Sequence, residues 1–404
     1  MSFNFVADSI LLDNAYPALA TWQATPYTPE WQEFVSHWPY TIPCELHEHC
    51  KKYDFPYKIH SIENYPAGSY YTIGLGFFDF TVDYFSLLPK VVSNELLKKR
   101  LKVLFYYHEG DNPYYIKERL DNLCLNCQLP LDCYRVVSGN TAAKNISKFV
   151  YFPDHELLYH RRNQLDPLPI HMQPREKDFT ILSRTHKWWR ATIMHELYQK
   201  KLLTNSYWSY NTQISTAEKF TDNPLKTTTL SGAANWSPNT SSKEIYDNII
   251  DFLSAGPYRC DTMTDSDHNN HSIIEPMHHT NSYCNIVLET HIDADQSDGT
   301  FLTEKTFKPI KHGQPFIIVG PPGSLQTLRE LGYQTFDSFI DNSYDLELDN
   351  TKRWAKILNS IQQLKKQDLH KWFLNCISEV KHNQQLFVTS KYSRLNNLYD
   401  KLLH

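Results

Sequence analysis

The segment "FLTEKTFKPIKHGQPFIIVGPPGS", residues 301–324, places an acid beside a base and follows them with a helix-length stretch and a hydrophobic run. Glu304 and Lys305 stand where this predicted helix begins. Residues 315–320 have the length and apolarity of a buried strand, and they end in a Gly-Pro-Pro-Gly turn. A helix followed by a buried strand is typical of parallel sheets covered by helices. The segment therefore predicts an α/β fold.

Apolar runs of strand length alternate with helical patterns along the rest of the chain. In the first half we predict strands at 101–110 and 132–140 around a helix at 112–127, after an aromatic-rich stretch at 70–89. In the second half the predicted strands are 178–184, 283–290 and 315–320, with a short aromatic segment at 206–211, and the predicted helices are 187–203, 242–256, 323–332, 350–366 and 369–400.

Prolines and charges interrupt this alternation at 161–177, which predicts a linker between two domains. A chain of 404 residues is long enough for two domains. We expect an N-terminal Rossmann-like domain at 1–170 and a C-terminal one at 171–375, facing each other across a cleft. The last helical segment, 376–404, has the length to return to the first domain.

The composition is globular, with 41% hydrophobic and 21% charged residues. A net charge of −5 and a pI near 6.4 provide no overall basic field for nucleic acid. No apolar run approaches a membrane span, and the N-terminus lacks the pattern of a signal peptide. We therefore expect a soluble cytoplasmic protein, of viral or bacterial origin; the sequence predicts no oligomeric state.

Cations follow the first predicted strand of the second domain, in the order Arg184, Lys187 and Arg190. Ligands of open parallel sheets bind beyond the carboxyl ends of the strands. A guanidinium fork and a lysine ammonium at such a place can neutralise a diphosphate. The sequence therefore predicts an anionic ligand, although a solvated loop leading into a helix would have a similar composition.

The residues around the opening segment suggest which groups would bind the ribose of a nucleotide and which would bind its phosphates. Glu304 can accept hydrogen bonds from ribose hydroxyls, as acids do in dinucleotide-binding folds. The helix after Gly323 would add backbone N–H groups for phosphate. The alternative is ordinary surface charge, because a glutamate in a first helical turn is favoured by the helix dipole.

Three short elements carry a resemblance to a known family. "YCNIVLET" (283–290) followed by "GTFLTEKTFKPIKHGQPFIIVGPPG" (299–323) resembles the donor-binding domain of the α-1,3-fucosyltransferase family and its viral and bacterial relatives. That family has Phe-Glu-Asn, then Thr-Glu-Lys, then a strand ending in Gly-Pro. Glu289 matches the first element, Thr303, Glu304 and Lys305 the second, and Gly320 the third.

The resemblance implies a GT-B fold with the donor in the C-terminal domain and the acceptor mainly in the N-terminal one. It places Glu304 on the ribose, and Lys305 and Arg184 on the diphosphate. The implied reaction is an inverting, metal-independent transfer of a hexosyl or fucosyl group to a hydroxyl of a glycan or glycoconjugate. The implied donor is a GDP-sugar, with a UDP-sugar as the alternative.

Two other functions stay open at this point. One is a nucleotide- or carbohydrate-binding protein without catalysis. The other is a glycosyltransferase acting on modified DNA bases, which the acidic pI disfavours because phosphate neutralisation dominates DNA affinity. A dinucleotide-dependent oxidoreductase is excluded, since Gly74 and Gly76 are not followed by a third glycine at the required spacing.

Glycosyl transfer also needs a base for the acceptor hydroxyl. Glu109 follows a predicted strand of the first domain and is our first candidate, ahead of His108, Asp79 and Asp83. A carboxylate that merely caps a turn would occupy the same position.

We predict no metal site. Asp293 and Asp295 form an Asp-x-Asp motif that could bind Mn²⁺ or Mg²⁺, but three residues are a weak signal. The histidines at 268, 271, 278 and 279 lie in a polar segment. Cys124, Cys127 and Cys133 resemble half of a zinc site with no second pair at zinc-ribbon spacing, so we expect free thiols.

Overall fold

The computed structural model describes residues 2–6, 45–75, 78, 80–107, 109–162, 166–213, 241–260, 276–292 and 299–403. The chain divides into two compact units. The first comprises Met1–Arg162, Gln296–Phe301 and Thr389–His404, and the second comprises Asn163–Asp295 and Leu302–Val388.

The first unit is built on a parallel sheet whose six described strands have the order β2-β1-β3-β4-β5-β6. Its central strands are almost continuously buried, as expected when helices cover both faces. The strands are β1 (Phe3–Val6), β2 (Tyr57–His60), β3 (Tyr70–Leu75), β4 (Lys102–Tyr107), β5 (Tyr134–Ser138) and β6 (Phe149–Tyr151).

The helices described in this unit alternate with the strands. They are α1 (Glu45–Lys52), α2 (Lys90–Leu97), α3 (Pro113–Asn126), α4 (Asp154–Arg162) and, from the end of the chain, α13 (Lys391–Leu403), with a 3₁₀ turn at Thr141–Asn145. Leu395, Leu398 and Leu402 of α13 lie in the same hydrophobic core as Phe3 and Phe5. The expected return of the C-terminal helix to the first domain is thus confirmed.

The second unit contains a parallel sheet with four described strands in the order β10-β9-β7-β8. These strands are β7 (Lys177–Thr185), β8 (Tyr207–Gln213), β9 (Ser282–Leu288) and β10 (Phe316–Val319). Every residue of β9 and β10 is buried. The apolar runs predicted at 178–184, 283–290 and 315–320 therefore correspond to β7, β9 and β10.

Its helices include the predicted ones, with one difference near the end. They are α5 (Trp188–Gln199), α6 (Ser242–Ala255), α7 (Pro276–Thr280), α8 (Glu304–Lys311), α9 (Ser324–Glu330), α10 (Asn350–Lys365), α11 (Leu369–Asn375) and α12 (Ile377–Thr389), with a 3₁₀ turn at Ser343–Leu346. The pattern at 369–400, read as one helix, is three helices in succession, α11, α12 and α13, with breaks at Cys376 and Ser390.

The strand order of the second sheet has a topological switch point between β7 and β9. From β7 the chain passes first to β8 on one side and then to β9 on the other. In open parallel sheets the ligand binds outside the carboxyl ends of the strands at such a point. The fold therefore singles out the residues that follow β7 and β9.

Both units are parallel-sheet α/β structures, so the expectation of two Rossmann-like domains is confirmed. The described units change at Arg162/Asn163 and Val388/Thr389, while the domain limits expected at 170 and 375 remain a prediction. Within the described part of the chain, no helix combines the length and the apolar character needed to cross a bilayer.

Candidate functional site

Glu289 follows β9 and connects the end of that strand to the start of α8. Its side chain is fully buried. One carboxylate oxygen accepts from Thr303 N (3.1 Å) and Thr306 Oγ1 (2.5 Å), and the other from Thr290 N (2.9 Å) and Thr303 Oγ1 (2.7 Å). Four donors leave this carboxylate no capacity for a ligand, so Glu289 positions the first turn of α8.

Glu304 and Lys305 form an ion pair at the N-terminus of α8, with 3.0 Å between Glu304 Oε1 and Lys305 Nζ. The same ammonium donates to Thr290 Oγ1 (3.1 Å) and Thr303 Oγ1 (3.2 Å). The Lys305 side chain keeps 28% of its surface exposed, against 12% for Glu304. The two residues of the opening motif thus hold each other at the strand ends, and Lys305 reaches solvent.

Arg184 is the next-to-last residue of β7. It is half-buried, and the charge of Glu304 acts on it. Burial lowers the pKa of the Arg184 guanidinium, and the negative charge of Glu304 opposes that shift. The switch point therefore brings Arg184 from β7 together with Glu304 and Lys305 from α8, which are separated from it by more than a hundred residues of sequence.

Arg190 and Lys187 have structural partners at the same place. Arg190 is 4% exposed and donates to the carbonyl oxygens of Leu288 (3.3 Å) and Glu289 (2.5 Å). Lys187 donates to the carbonyl oxygen of Thr290 at 2.6 Å. Both cations tie the start of α5 to the end of β9, so their positive charge is fixed next to the site while their donors are engaged by the backbone.

Lys308 is a further cation of this site that the sequence pattern did not single out as a ligand. It lies one turn after Glu304 and Lys305 on α8 and is half-buried. Burial lowers the pKa of Lys308 to about 8; Lys305 and Arg184 act in the same direction, while Glu304 and Glu289 oppose it. The helical spacing from Glu304 was the signal that could have identified it.

His291 stands at the rim of the same site, with an exposed side chain. Enclosure by neighbouring protein atoms lowers its pKa to about 4, and the cations Lys187, Lys305 and Arg190 add to that shift. The ring is therefore neutral near pH 7 even though part of it reaches solvent. Three cations acting on one imidazole show how concentrated the positive charge is.

The role predicted for the glycines needs correction. Gly323 precedes α9 with φ +82°, a conformation that favours glycine, but the amides of this helix are already used. The buried carboxylate of Asp345 accepts from Leu325 N and Gln326 N, both at 2.9 Å. The helix N-terminus therefore does not offer these donors to a phosphate.

Gly320 has a packing role that the sequence did not predict. A Cβ at this position would stand 3.3 Å from Glu289 Cβ and 3.1 Å from Ser324 Oγ. The glycine lets the chain after β10 pass close to the buried glutamate. Gly320 thus contributes to the placement of Glu289, and its predicted contact with a ligand stays a prediction.

Glu109, the candidate base, belongs to the first unit, directly after β4. It is partly buried, and its charge contributes to the raised pKa of Tyr107, after burial and Asp111. The switch point of the first sheet lies between β1 and β3, one strand away from β4. Of the other candidates, Asp83 accepts from Ser86 N at 3.1 Å in a turn; His108 and Asp79 lie outside the described residues.

No group of three or more potential metal ligands is present among the described residues. His278 and His279 are buried, and His279 Nδ1 is 2.8 Å from Gln314 Oε1. Cys124 and Cys133 lie with their sulfur atoms 3.7 Å apart, as free thiols. Asp293, Asp295, His268 and His271 lie outside the described residues.

No protein-family model matches the chain, and no curated protein matches it. Similar solved structures include T4 phage BGT in complex with UDP and Mn²⁺, at 11% identity and a TM-score of 0.37, covering 100% of this chain and 99% of that one. Another is an alpha-glucosyltransferase in complex with UDP and a 13-mer DNA containing a central A:G mismatch, at 10% identity and a TM-score of 0.37, with the same coverage of 100% and 99%. Likeness at this level carries no argument, and the resemblance to the fucosyltransferase family stays a prediction.

Proposed function

We propose that the chain is a glycosyltransferase that binds a nucleoside-diphosphate sugar at the switch point of its second sheet. The observation that carries the proposal is the excess of positive charge there. Five cations, Arg184, Lys187, Arg190, Lys305 and Lys308, surround two carboxylates, Glu289 and Glu304. Partly buried charge of one sign favours a ligand of the other sign.

A diphosphate fits this charge better than a neutral ligand does. Its oxygens accept from guanidinium and ammonium groups, and Arg184 and Lys305, both partly exposed, offer such groups from two different elements. In the proposed complex Lys305 exchanges its contact with Glu304 for a phosphate oxygen. Glu304 then turns to the ribose hydroxyls, which need an acceptor.

The same charges serve the reaction, because a nucleoside diphosphate gains negative charge as the sugar leaves. Preorganised cations that meet this charge lower the barrier, commonly by several kcal/mol. Glu109 stays our candidate base for the acceptor hydroxyl, in an inverting reaction. A GDP-sugar is the proposed donor and a glycan hydroxyl the proposed acceptor, both by resemblance to the fucosyltransferase family, and we propose that no metal takes part.

Thermal-shift measurements with GDP, UDP, ADP and TDP test the binding step. We expect one nucleotide to raise the Tm of the wild type, and Lys305→Ala and Arg184→Ala to reduce that shift. Lys352→Ala, which removes an exposed lysine of α10 in the same unit, serves as the matched control and should behave as the wild type. The binding proposal fails if no nucleotide raises the Tm, or if the two site variants keep the full shift.

Release of nucleoside diphosphate from the corresponding sugar nucleotide separates a transferase from a protein that only binds. Slow hydrolysis of the donor by water is expected even without the acceptor, and Lys305→Ala should abolish it. Binding of the nucleotide without any turnover, in the presence of varied glycan acceptors, would favour the binding protein over the enzyme.

A further inference from the structure

Lys308 differs from the other cations of the site in its contacts. Lys187 donates to a backbone carbonyl, Arg190 to three, and Lys305 to two hydroxyls and a carboxylate. No described residue accepts a hydrogen bond from Lys308 Nζ, and none forms an ion pair with it. Lys308 Nζ is not among the buried polar atoms that lack a partner, so the ammonium reaches solvent, where an oxygen of an anionic ligand can replace water.

The position of Lys308 on α8 directs it to the same ligand as Lys305. Residue 308 follows Lys305 by three positions and Glu304 by four, so its side chain neighbours both of theirs on the helix surface. The residues next to Lys308, Phe307, Pro309 and Ile310, are buried, and their packing fixes the orientation of α8. Arg184 from β7 and Glu289 from the end of β9 act on Lys308 electrostatically, so it lies on the side of α8 that faces the strand ends.

We propose that Lys308 is a third ligand of the diphosphate, with Arg184 and Lys305, and that a phosphate oxygen replaces water as the acceptor of its ammonium. The inference rests on the proposed function and adds a residue to that site. Glu304 and Glu289 act on Lys308 electrostatically, but neither forms an ion pair with it in the described part of the chain. The positive charge of Lys308 would also stabilise the nucleoside diphosphate, which carries about three negative charges after the sugar leaves.

The charged groups around Lys308 make its protonation sensitive to mildly alkaline pH. Arg184 and Lys305 oppose its charge, Glu304 and Glu289 favour it, and burial outweighs all of them. His279 and His312, on α7 and at the end of α8, also face it, but their pKa values are lowered and the rings are neutral in this range. With a pKa of about 8, the free protein loses the charge of Lys308 as the pH rises, so diphosphate affinity should fall above pH 8.

Three variants of the full chain test the inference: Lys308→Met, Lys308→Arg and the control Lys352→Met. The probe is the nucleoside diphosphate that stabilises the wild type best, with Kd measured by calorimetry from pH 7 to 9.5. We expect Lys308→Met to weaken binding about tenfold to a hundredfold at pH 7, since a charge-assisted hydrogen bond is lost. Its ligand-free Tm should rise, because the substitution removes an unpaired charge from a half-buried site.

Lys308→Arg separates charge from packing. Arginine stays protonated throughout this range, so the variant should keep most of the affinity and lose the extra weakening above pH 8 that the wild type shows. The difference between the two proteins cancels the titration of the ligand itself. Lys352→Met should match the wild type in affinity, in Tm and in pH profile.

The outcomes distinguish the inference from the proposed function. If the wild type binds a diphosphate and Lys308→Met binds it equally well, the inference is overturned and the proposed function stands. If Lys308→Met lowers the ligand-free Tm and Lys308→Arg does not restore affinity, Lys308 is a packing residue and the inference is again overturned. If the wild type binds no diphosphate, both fail together.

Discussion

Buried charge is organised differently in the two units. In the first unit, Glu156 of α4 is fully buried and accepts from Lys391 Nζ at 2.9 Å, Arg394 Nε at 3.0 Å and Ser390 Oγ at 2.7 Å. Acid and base lie in direct contact. In the second unit, the cations at the ends of β7 and β9 outnumber the carboxylates, and Lys308 makes no ion pair with a described residue.

On the proposed function, the difference separates charge that holds the chain together from charge that binds a ligand. Glu156 and its two cations fasten α13 to α4, which fixes the C-terminal helix in the core of the first unit. An excess of one sign has no such use in the folded chain, because each unpaired charge costs free energy of desolvation. Where an excess persists at a switch point, binding is the physical reason to retain it.

The largest effect on stability is expected for Glu156→Ala. Removing this carboxylate takes away the acid that the 3% exposed Lys391 contacts at 2.9 Å, and breaking a buried pair in this way costs about 3–5 kcal/mol. Urea unfolding should show the loss. Lys243→Ala, which breaks an exposed ion pair on α6, is the control and should change the free energy of unfolding by less than about 1 kcal/mol. Equal effects of the two variants would show that Glu156 and its cations do not hold α13.

Glu289→Gln should have an intermediate effect, now in the second unit. The amide keeps the shape but places an N–H₂ group opposite donors, so about 1–3 kcal/mol of stability should be lost. Because the same carboxylate positions the first turn of α8, nucleotide affinity should fall as well. A variant with wild-type affinity would show that Glu304 and Lys305 do not depend on Glu289 for their placement.

The smallest effect is expected for Asp345→Ala, which removes the acceptor of two amides of α9. A lost cap typically costs about 1 kcal/mol, and nucleotide affinity should stay unchanged, because the phosphates do not use this helix end. Chemical denaturation measures the loss of stability, and a binding titration measures the nucleotide affinity. If nucleotide affinity rises instead, the amides of Leu325 and Gln326 that Asp345 released bind phosphate, and the N-terminus of α9 belongs to the nucleotide site.

The sequence could predict β7, β9 and β10 of the second unit because they are largely apolar runs, and it therefore placed Arg184, Glu289 and Lys305 at or after strand ends. It did not predict β8, whose sequence YWSYNTQ is half polar. The helix predicted at 323–332 corresponds to α9, and the φ of +94° at Gly332 shows the left-handed conformation that commonly follows a helix end. β1 was not predicted, since four residues at Phe3–Val6 are too few to show a period.

The sequence could not predict which side chains the tertiary fold brings into contact. Arg190 was read as a phosphate ligand, yet its guanidinium binds carbonyls of β9 some hundred residues away. Asp345 reaches back about twenty residues to the amides of α9. No local pattern indicates that a donor is already satisfied from another strand. Lys308 is the opposite case, because its helical spacing from Glu304 was visible and only its lack of a partner required the structure.

The central claim is that the excess of positive charge at the switch point of the second sheet binds a diphosphate. Its most direct test compares the affinity for a nucleoside diphosphate with that for the nucleoside that lacks the phosphates. Calorimetry at low salt should give the diphosphate at least about a hundredfold higher affinity, as expected for two or more charge-assisted contacts. Lys305→Ala should lose much of that difference and leave the affinity for the nucleoside unchanged. Equal affinities of the wild type for the two ligands, or an unchanged difference in Lys305→Ala, would contradict a diphosphate site at the switch point of the second sheet.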